Sequence, residues 1–334
     1  MKLATIIILT FLLTACKTNQ LAIVKINGKF GCIDRKGKIV IQPTWDWILQ
    51  GDKNKQILVE RDSLYGYIDS RGNVIIKPQY KEGNLFSEGL AAVSNGKKYG
   101  FINPKGDTVI PFLYDDVFDG FNNGLSDVTI GDSSGYIDKT GKVVIPIKYE
   151  TCYPFMSAYA QVETFNGDEL LVDKKGKTYD EDDVSAKFRL WVPREVYPGS
   201  FTTSTGQGRM NEKGDTIVPP IYKVTGNLSD HMYIVQDKSG KWGAYNDKGA
   251  LKVQCKFDNI WHFYEGLANF KLNDKWGYVD KQGKIVIEPT FEYASQFANG
   301  LAYAEINGKA GFINKKGVFV IAPTFDTKAD SRFQ

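Results

Sequence analysis

The sequence predicts an all-β fold: tandem three-stranded antiparallel meanders of about 35 residues, stacked in an open solenoid-like array, with a closed β-propeller as the alternative. Three phased residue classes predict it. An anchor glycine recurs at Gly31, Gly66, Gly100, Gly135, Gly208, Gly243, Gly277 and Gly311, with Leu170 as a degenerate fifth copy. Six residues after each anchor stands a second glycine, from Gly37 to Gly317, and three residues after each stands Asp or Asn, from Asp34 to Asn314. Eight residues after the second glycine an aromatic returns, as Trp45, Tyr80, Tyr114, Tyr149, Tyr222, Phe257, Phe291 and Phe325. The anchors divide the chain into nine units.

The eighth unit shows the logic of each element. Leu267 to Leu272 alternates, with Leu267, Asn269 and Lys271 on one face and Ala268, Phe270 and Leu272 on the other, which reads as a half-buried strand. Asn273-Asp274 supplies a turn, and Lys275 to Asp280 is the second strand. Lys281-Gln282-Gly283 turns again. Here the Asp280 side chain caps backbone two residues on, and the glycine supplies the left-handed residue that closes the loop with a bulge. That role, with lysine neighbours, accounts for the phased Asp and Asn better than a ladder of calcium sites does. Lys284 to Glu288 is the third strand, and Pro289 is expected to end its pairing, having no N–H to donate. The entry pattern Phe-x-x-Gly-Leu (Phe86, Phe121, Phe263, Phe297) places an aromatic between neighbouring units, because a three-stranded sheet cannot cover both its faces alone.

The start of the chain lies outside this pattern. Met1-Lys2, an apolar run from Leu3 to Leu13, and Thr14-Ala15-Cys16 read as a secretory signal, too short to span a bilayer. Leu13-Thr14-Ala15-Cys16 resembles the lipobox of bacterial lipoproteins. By that resemblance residues 1–15 are a signal peptide, Cys16 is the lipidated first residue of the mature chain, and 16–21 is a tether. Lys17 follows the cysteine where an Asp would signal inner-membrane retention in some bacteria, so the outer membrane is favoured. The expected location is the cell envelope, lipid-anchored and extracytoplasmic.

Repeats 1–4 are assigned to 22–169, a degenerate fifth repeat with an insertion to 170–200, repeats 6–9 to 201–326, and a tail to 327–334. In the fifth repeat the expected third strand gives way to Lys177-Thr178-Tyr179 and the acidic run Asp180 to Asp183, read as a solvated loop or helix start. The net charge is +3, and +2 without Lys2, which argues against an electrostatic nucleic-acid binder. Besides Cys16 there are three cysteines, Cys32, Cys152 and Cys255. They do not recur with the repeat and suggest no disulfide framework.

Lys241-Trp242-Gly243 and Lys275-Trp276-Gly277, each followed by the Asp/Asn and Lys-x-Gly turn pattern, resemble the WG-repeat (KWG-repeat) family over roughly residues 22 to 326. Other copies carry Phe30, Tyr65, Tyr99, Ser134, Gln207 or Ala310 in place of the tryptophan. The resemblance implies the repeat architecture and carries no catalytic residues with it.

Residue chemistry points the same way. The histidines are His231 and His262 alone, and no His-x-x-x-His, Cys-x-x-Cys, phosphate-loop or nucleophile-elbow motif occurs. The expectation is a protein that is not an enzyme and uses no cofactor or metal. It would be a binding or scaffolding module for an envelope protein or glycan, with candidate ligand contacts at the aromatic cluster Trp261, His262, Phe263 and Tyr264. The alternative is a hydrolase of envelope polysaccharide using loop carboxylates such as Asp182 or Glu195.

Overall fold

The computed structural model describes residues 21–50, 56–155, 158–179, 200–211 and 215–327. Among them there are nine separate antiparallel sheets and no helix. Each sheet is a meander, and none is closed into a barrel. The sheets occupy residues 22–45, 47–80, 82–114, 125–149, 151–179, 200–222, 224–257, 259–291 and 293–326, here units 1 to 9. Three sheets have three strands; in the other six a further strand leads in and adds a fourth, such as Asn259–Ile260 in unit 8.

The third strand runs further than its proline suggests. In unit 8 it spans Ile285–Phe291, straight through Pro289. Tyr278 pairs with Ile287 and Trp276 with Phe291, so the third strand bulges past Gly277. Proline is tolerated there because this strand is the outer edge of its sheet. The bulge also explains the anchor glycine. A Cβ on Gly277 would lie 2.5 Å from the Ile287 carbonyl oxygen, and the other anchors meet the third-strand carbonyl at 2.4 to 2.8 Å. Beyond the bulge the returning aromatic pairs with the residue before the anchor: Phe30 with Trp45, Tyr65 with Tyr80, Trp242 with Phe257.

The phased Asp and Asn cap the turns as expected. Asp280 Oδ1 accepts the backbone N–H of Gln282 and of Lys284, both at 2.9 Å, and Asp34, Asp69, Asn103, Asp138, Asp173, Asn246 and Asn314 do likewise in their units. Among the described residues the turn glycines are left-handed, with φ +85° at Gly283.

Burial differs from the half-buried expectation. Leu267, Ala268, Asn269 and Phe270 are all buried, because sheets stack on both faces. Ala268 and Phe270 pack in one core with Phe257 and Phe263, while Leu267 packs in another with Trp276 and Phe297. Alternation is commonest in third strands, where residues such as Val74, Val109 and Val286 are exposed. The entry phenylalanines sit on second-strand rings as expected: Phe86 on Tyr67 at 4.8 Å, Phe121 on Phe101 at 5.0 Å and Phe297 on Tyr278 at 4.8 Å between centroids.

Neighbouring units join through two recurring contacts. A turn glycine faces the third-strand isoleucine of the unit before it: Gly72 faces Ile41, Gly106 Ile76, Gly141 Ile110 and Gly317 Ile287. A carboxylate just past the third strand accepts a backbone N–H from the next unit's hairpin: Asp46 from Asp62, Asp115 from Gly131, Asp258 from Asn273, Glu292 from Gly308. The array is open in that no sheet closes on itself, yet its two ends meet by these same contacts. Gly37 of unit 1 faces Ile321 of unit 9, and Asp326 accepts the Gly28 N–H. Ala22, Val24 and Ile33 share a core with Tyr303, Phe312, Ile321 and Phe325. This end-to-end contact is the one the closed alternative requires, and nothing in the local pattern announces it.

Unit 5 is the irregular one. Its sheet begins at Thr151, so its leading strands fall within the segment the anchors assign to repeat 4. Leu170 replaces the anchor glycine, and the described part of the third strand, Thr178–Tyr179, pairs with Val172 and Leu171. The acidic run 180–183 lies outside the described residues.

Candidate binding surface

The aromatic cluster sits on the connection between Asn259–Ile260 and Leu267–Leu272. Backbone bonds hold it: Trp261 N donates to Asn269 O at 3.0 Å, and Tyr264 and Leu267 exchange bonds at 2.9 and 3.1 Å. The Phe263 carbonyl accepts the Ser229 hydroxyl at 2.7 Å. Glu265 turns with φ +51°, and Gly266 N donates to Asp230 at 2.7 Å. Burial works against charge on Glu265, but Lys315 and the Gly300 N–H outweigh it, holding its carboxyl below the ordinary range.

This scaffold splits the four candidates. Phe263 is buried in the core between units, so it is removed from the contact set. His262 is half-buried; burial lowers its pKa, and its Nδ1 has no partner among the described residues. Trp261 and Tyr264 are 43% and 46% exposed, large surfaces for residues in so ordered a connection.

Aligning units by the returning aromatic reveals residues the sequence reading missed. Four residues after it stand Leu49, Phe118, Tyr153 and Trp261, in units 2, 4, 5 and 8, and all four are exposed. The signal was available in the repeat phase. Sharing one phase, these side chains fall at corresponding places on their sheets and form an apolar row interrupted by Asn84, Gly226 and Ser295.

No described group of three or more His, Cys, Asp or Glu is placed to hold a metal. Cys32, Cys152 and Cys255 are free thiols, and burial pushes Cys32 and Cys152 up to about 12. Cys16, Asp182 and Glu195 lie outside the described residues.

Among curated proteins, no relative matches the chain. Solved structures match at low identity. BamB from Moraxella catarrhalis is 12% identical, with 90% of each chain covered and a TM-score of 0.36. The computationally designed Ika8 protein is 9% identical, with 90% of this chain and 92% of that one covered and a TM-score of 0.35. The WD40 β-propeller domain of Doa1 is 11% identical, covering 78% of this chain and 88% of that one, with a TM-score of 0.29. The family model for the WG containing repeat matches residues 30–50, 65–99, 99–132, 135–167, 208–242, 242–276, 276–309 and 311–327. With the anchor glycine and its bulged third strand recurring in these matched segments, the chain belongs to the WG-repeat family.

Proposed function

We propose that this chain is a membrane-anchored extracytoplasmic repeat protein that acts as a binding or scaffolding module for an envelope protein or glycan, and that it is not an enzyme. The observation that carries the reading is the exposed row Leu49, Phe118, Tyr153 and Trp261, joined on its connection by Tyr264. Large apolar side chains left in water at one phase of a repeat are suited to an extended partner that touches several units at once. Aromatic rings there can stack on sugars or anchor a protein partner. The anchor is proposed from Leu13-Thr14-Ala15-Cys16.

Photo-crosslinking in native envelopes tests the binding reading. A photoreactive residue at position 261 or 118 should capture a defined partner, and one at Val143, exposed on a third strand, should not. Equal, diffuse labelling from all three positions would defeat it. Turnover of an envelope polysaccharide by the purified protein would favour the hydrolase alternative. Fractionation of a Cys16→Ser variant tests the anchor, which fails if the variant stays with membranes as the wild type does.

A further inference from the structure

Three residues after each returning aromatic the chain places a side chain in the core. Ile48, Val117, Cys152, Thr225, Ile260 and Ala294 are all buried. In unit 3 this position is Gly83. Its φ lies outside the left-handed region, so the backbone does not demand glycine there. A Cβ would have Leu58 Cδ1 and the Tyr67 hydroxyl at 3.3 Å and Tyr65 Cβ at 3.4 Å, closer than ordinary van der Waals contact, so even one methyl would press on these neighbours.

Gly83 borders a cavity of about 400 Å³ between units 2 and 3, walled by Trp47, Tyr65, Leu58 and Asn84 and reached by Glu82 and Asp119. The Trp47 and Tyr65 rings meet at 74° with centroids 6.2 Å apart, forming a corner. The Tyr99 hydroxyl donates to Glu82 Oε2 at 2.5 Å, which fixes that carboxylate. Asn122 Nδ2 donates to Asp119 Oδ2 at 3.3 Å. Among the described residues the lining holds two carboxylates and no basic side chain.

We propose that this cavity binds an alkylated ammonium group. Ring faces carry negative quadrupole charge and attract a cation, and the two carboxylates add to the same field. Alkylation matters because a bare ammonium is strongly hydrated and loses that water on entering an apolar corner, whereas a methylated one presents an apolar, weakly hydrated surface. A neutral sugar would gain stacking but nothing from the carboxylate charge, and an acidic ligand would be repelled. The proposal rests on reading the chain as a binder, yet it uses none of the residues of the exposed row except the cavity-rim Leu49.

Calorimetric titration of the full chain with choline, with its uncharged carbon isostere 3,3-dimethylbutan-1-ol and with cellobiose tests it. Choline should bind at least about tenfold more tightly than the isostere. The Glu82→Gln/Asp119→Asn double variant, which keeps the shape, should weaken choline at least about fivefold and leave the isostere unchanged. Gly83→Ala should weaken both ligands by pushing Leu58 and Tyr65 in the cavity wall. Each variant is first matched to the wild type in melting temperature, so a lost fold is not read as a lost site. Phosphatidylcholine vesicles that compete with choline identify a lipid headgroup as the source; choline binding without competition identifies a soluble small molecule. Equal affinity for choline and its isostere, no choline binding by the folded wild type, or cellobiose binding indifferent to the carboxylates overturns the proposal. Those failures leave crosslinking at position 261 untouched, so the two readings fall separately.

Discussion

Asp326 accepts the backbone N–H of Gly28 at 3.1 Å, across 298 residues of sequence. The same bond joins Asp115 to Gly131 and Asp258 to Asn273 inside the array, so the last unit treats the first as its successor. Ile321, which faces Gly37 and lies in the shared core, carries much of that junction.

The first prediction follows from it. Ile321→Ala should cost about 2–5 kcal/mol, the usual range for truncating a buried isoleucine. The loss should appear at both ends: amide exchange should accelerate over 22–33 as well as over 301–325. Acceleration confined to unit 9 would mean that the two ends are not energetically joined.

Gly277→Ala should destabilise by about 1–3 kcal/mol, through overpacking against the Ile287 carbonyl rather than through any change in turn conformation. Lys275→Ala, on an exposed side chain in the same strand, is the control and should shift the denaturation midpoint little. Equal midpoints for the two variants would remove the close-approach account of the anchor glycine.

Asp127 gives a pH dependence. It is 5% exposed; Oδ2 accepts the Phe118 N–H at 2.9 Å, and Oδ1 has no partner among the described residues. Burial is the largest influence and, with Asp116 and Asp119 nearby, pushes its carboxyl up to about 6. A folded value above the unfolded one favours the neutral form. Its contribution is therefore fully present below about pH 4 and is lost as pH rises through about 6. Unit 8 has Asn269 at this position, and its Nδ2 donates to Ala294 O at 2.8 Å. Asp127→Asn should raise the melting temperature at pH 8 and leave it nearly unchanged at pH 4. An identical pH profile for wild type and variant would show that Asp127 is already charged at no cost.

Unit 5 should be the weakest joint. It carries Leu170 where the other units have the anchor glycine, whose bare backbone lets their third strand approach closely. Dilute trypsin or chymotrypsin should first cut the native chain between Lys174 and Arg209, leaving two resistant fragments. First cuts spread evenly over the repeat turns would show that unit 5 is as well packed as the rest.

How much of this was legible in the sequence depended on whether its cause was local. The turns were, because Asp280 and Gly283 act within a few residues of each other. The reach of the third strand was not: Pro289 reads as a terminator until the strand is known to be an edge and bulged. Full burial of Leu267 to Phe270 was missed because alternation reports a sheet with one wet face, and these sheets have neighbours on both. The aromatic cluster was found but not resolved. Phe263 turns inward and Trp261 outward, which depends on the course of the connection, not on residue type. Meeting of the ends depends on the angle at every joint, a quantity no single repeat encodes.

The edge prolines bear on how such a chain survives in quantity. Third strands such as those carrying Ile75, Val109, Val286 and Val320 expose apolar residues, and an uncovered strand of that kind is a template for fibril growth. Pro43, Pro78, Pro111, Pro146, Pro220, Pro289 and Pro323 interrupt these edges by removing a donor, so an incoming chain finds no continuous ladder to extend. Unit 7 places Cys255 where its neighbours have proline, and there exposed Lys252 and Lys256 put charge on the rim instead. Gene duplication can therefore multiply the unit without multiplying its tendency to polymerise, provided each copy keeps its proline or an edge charge.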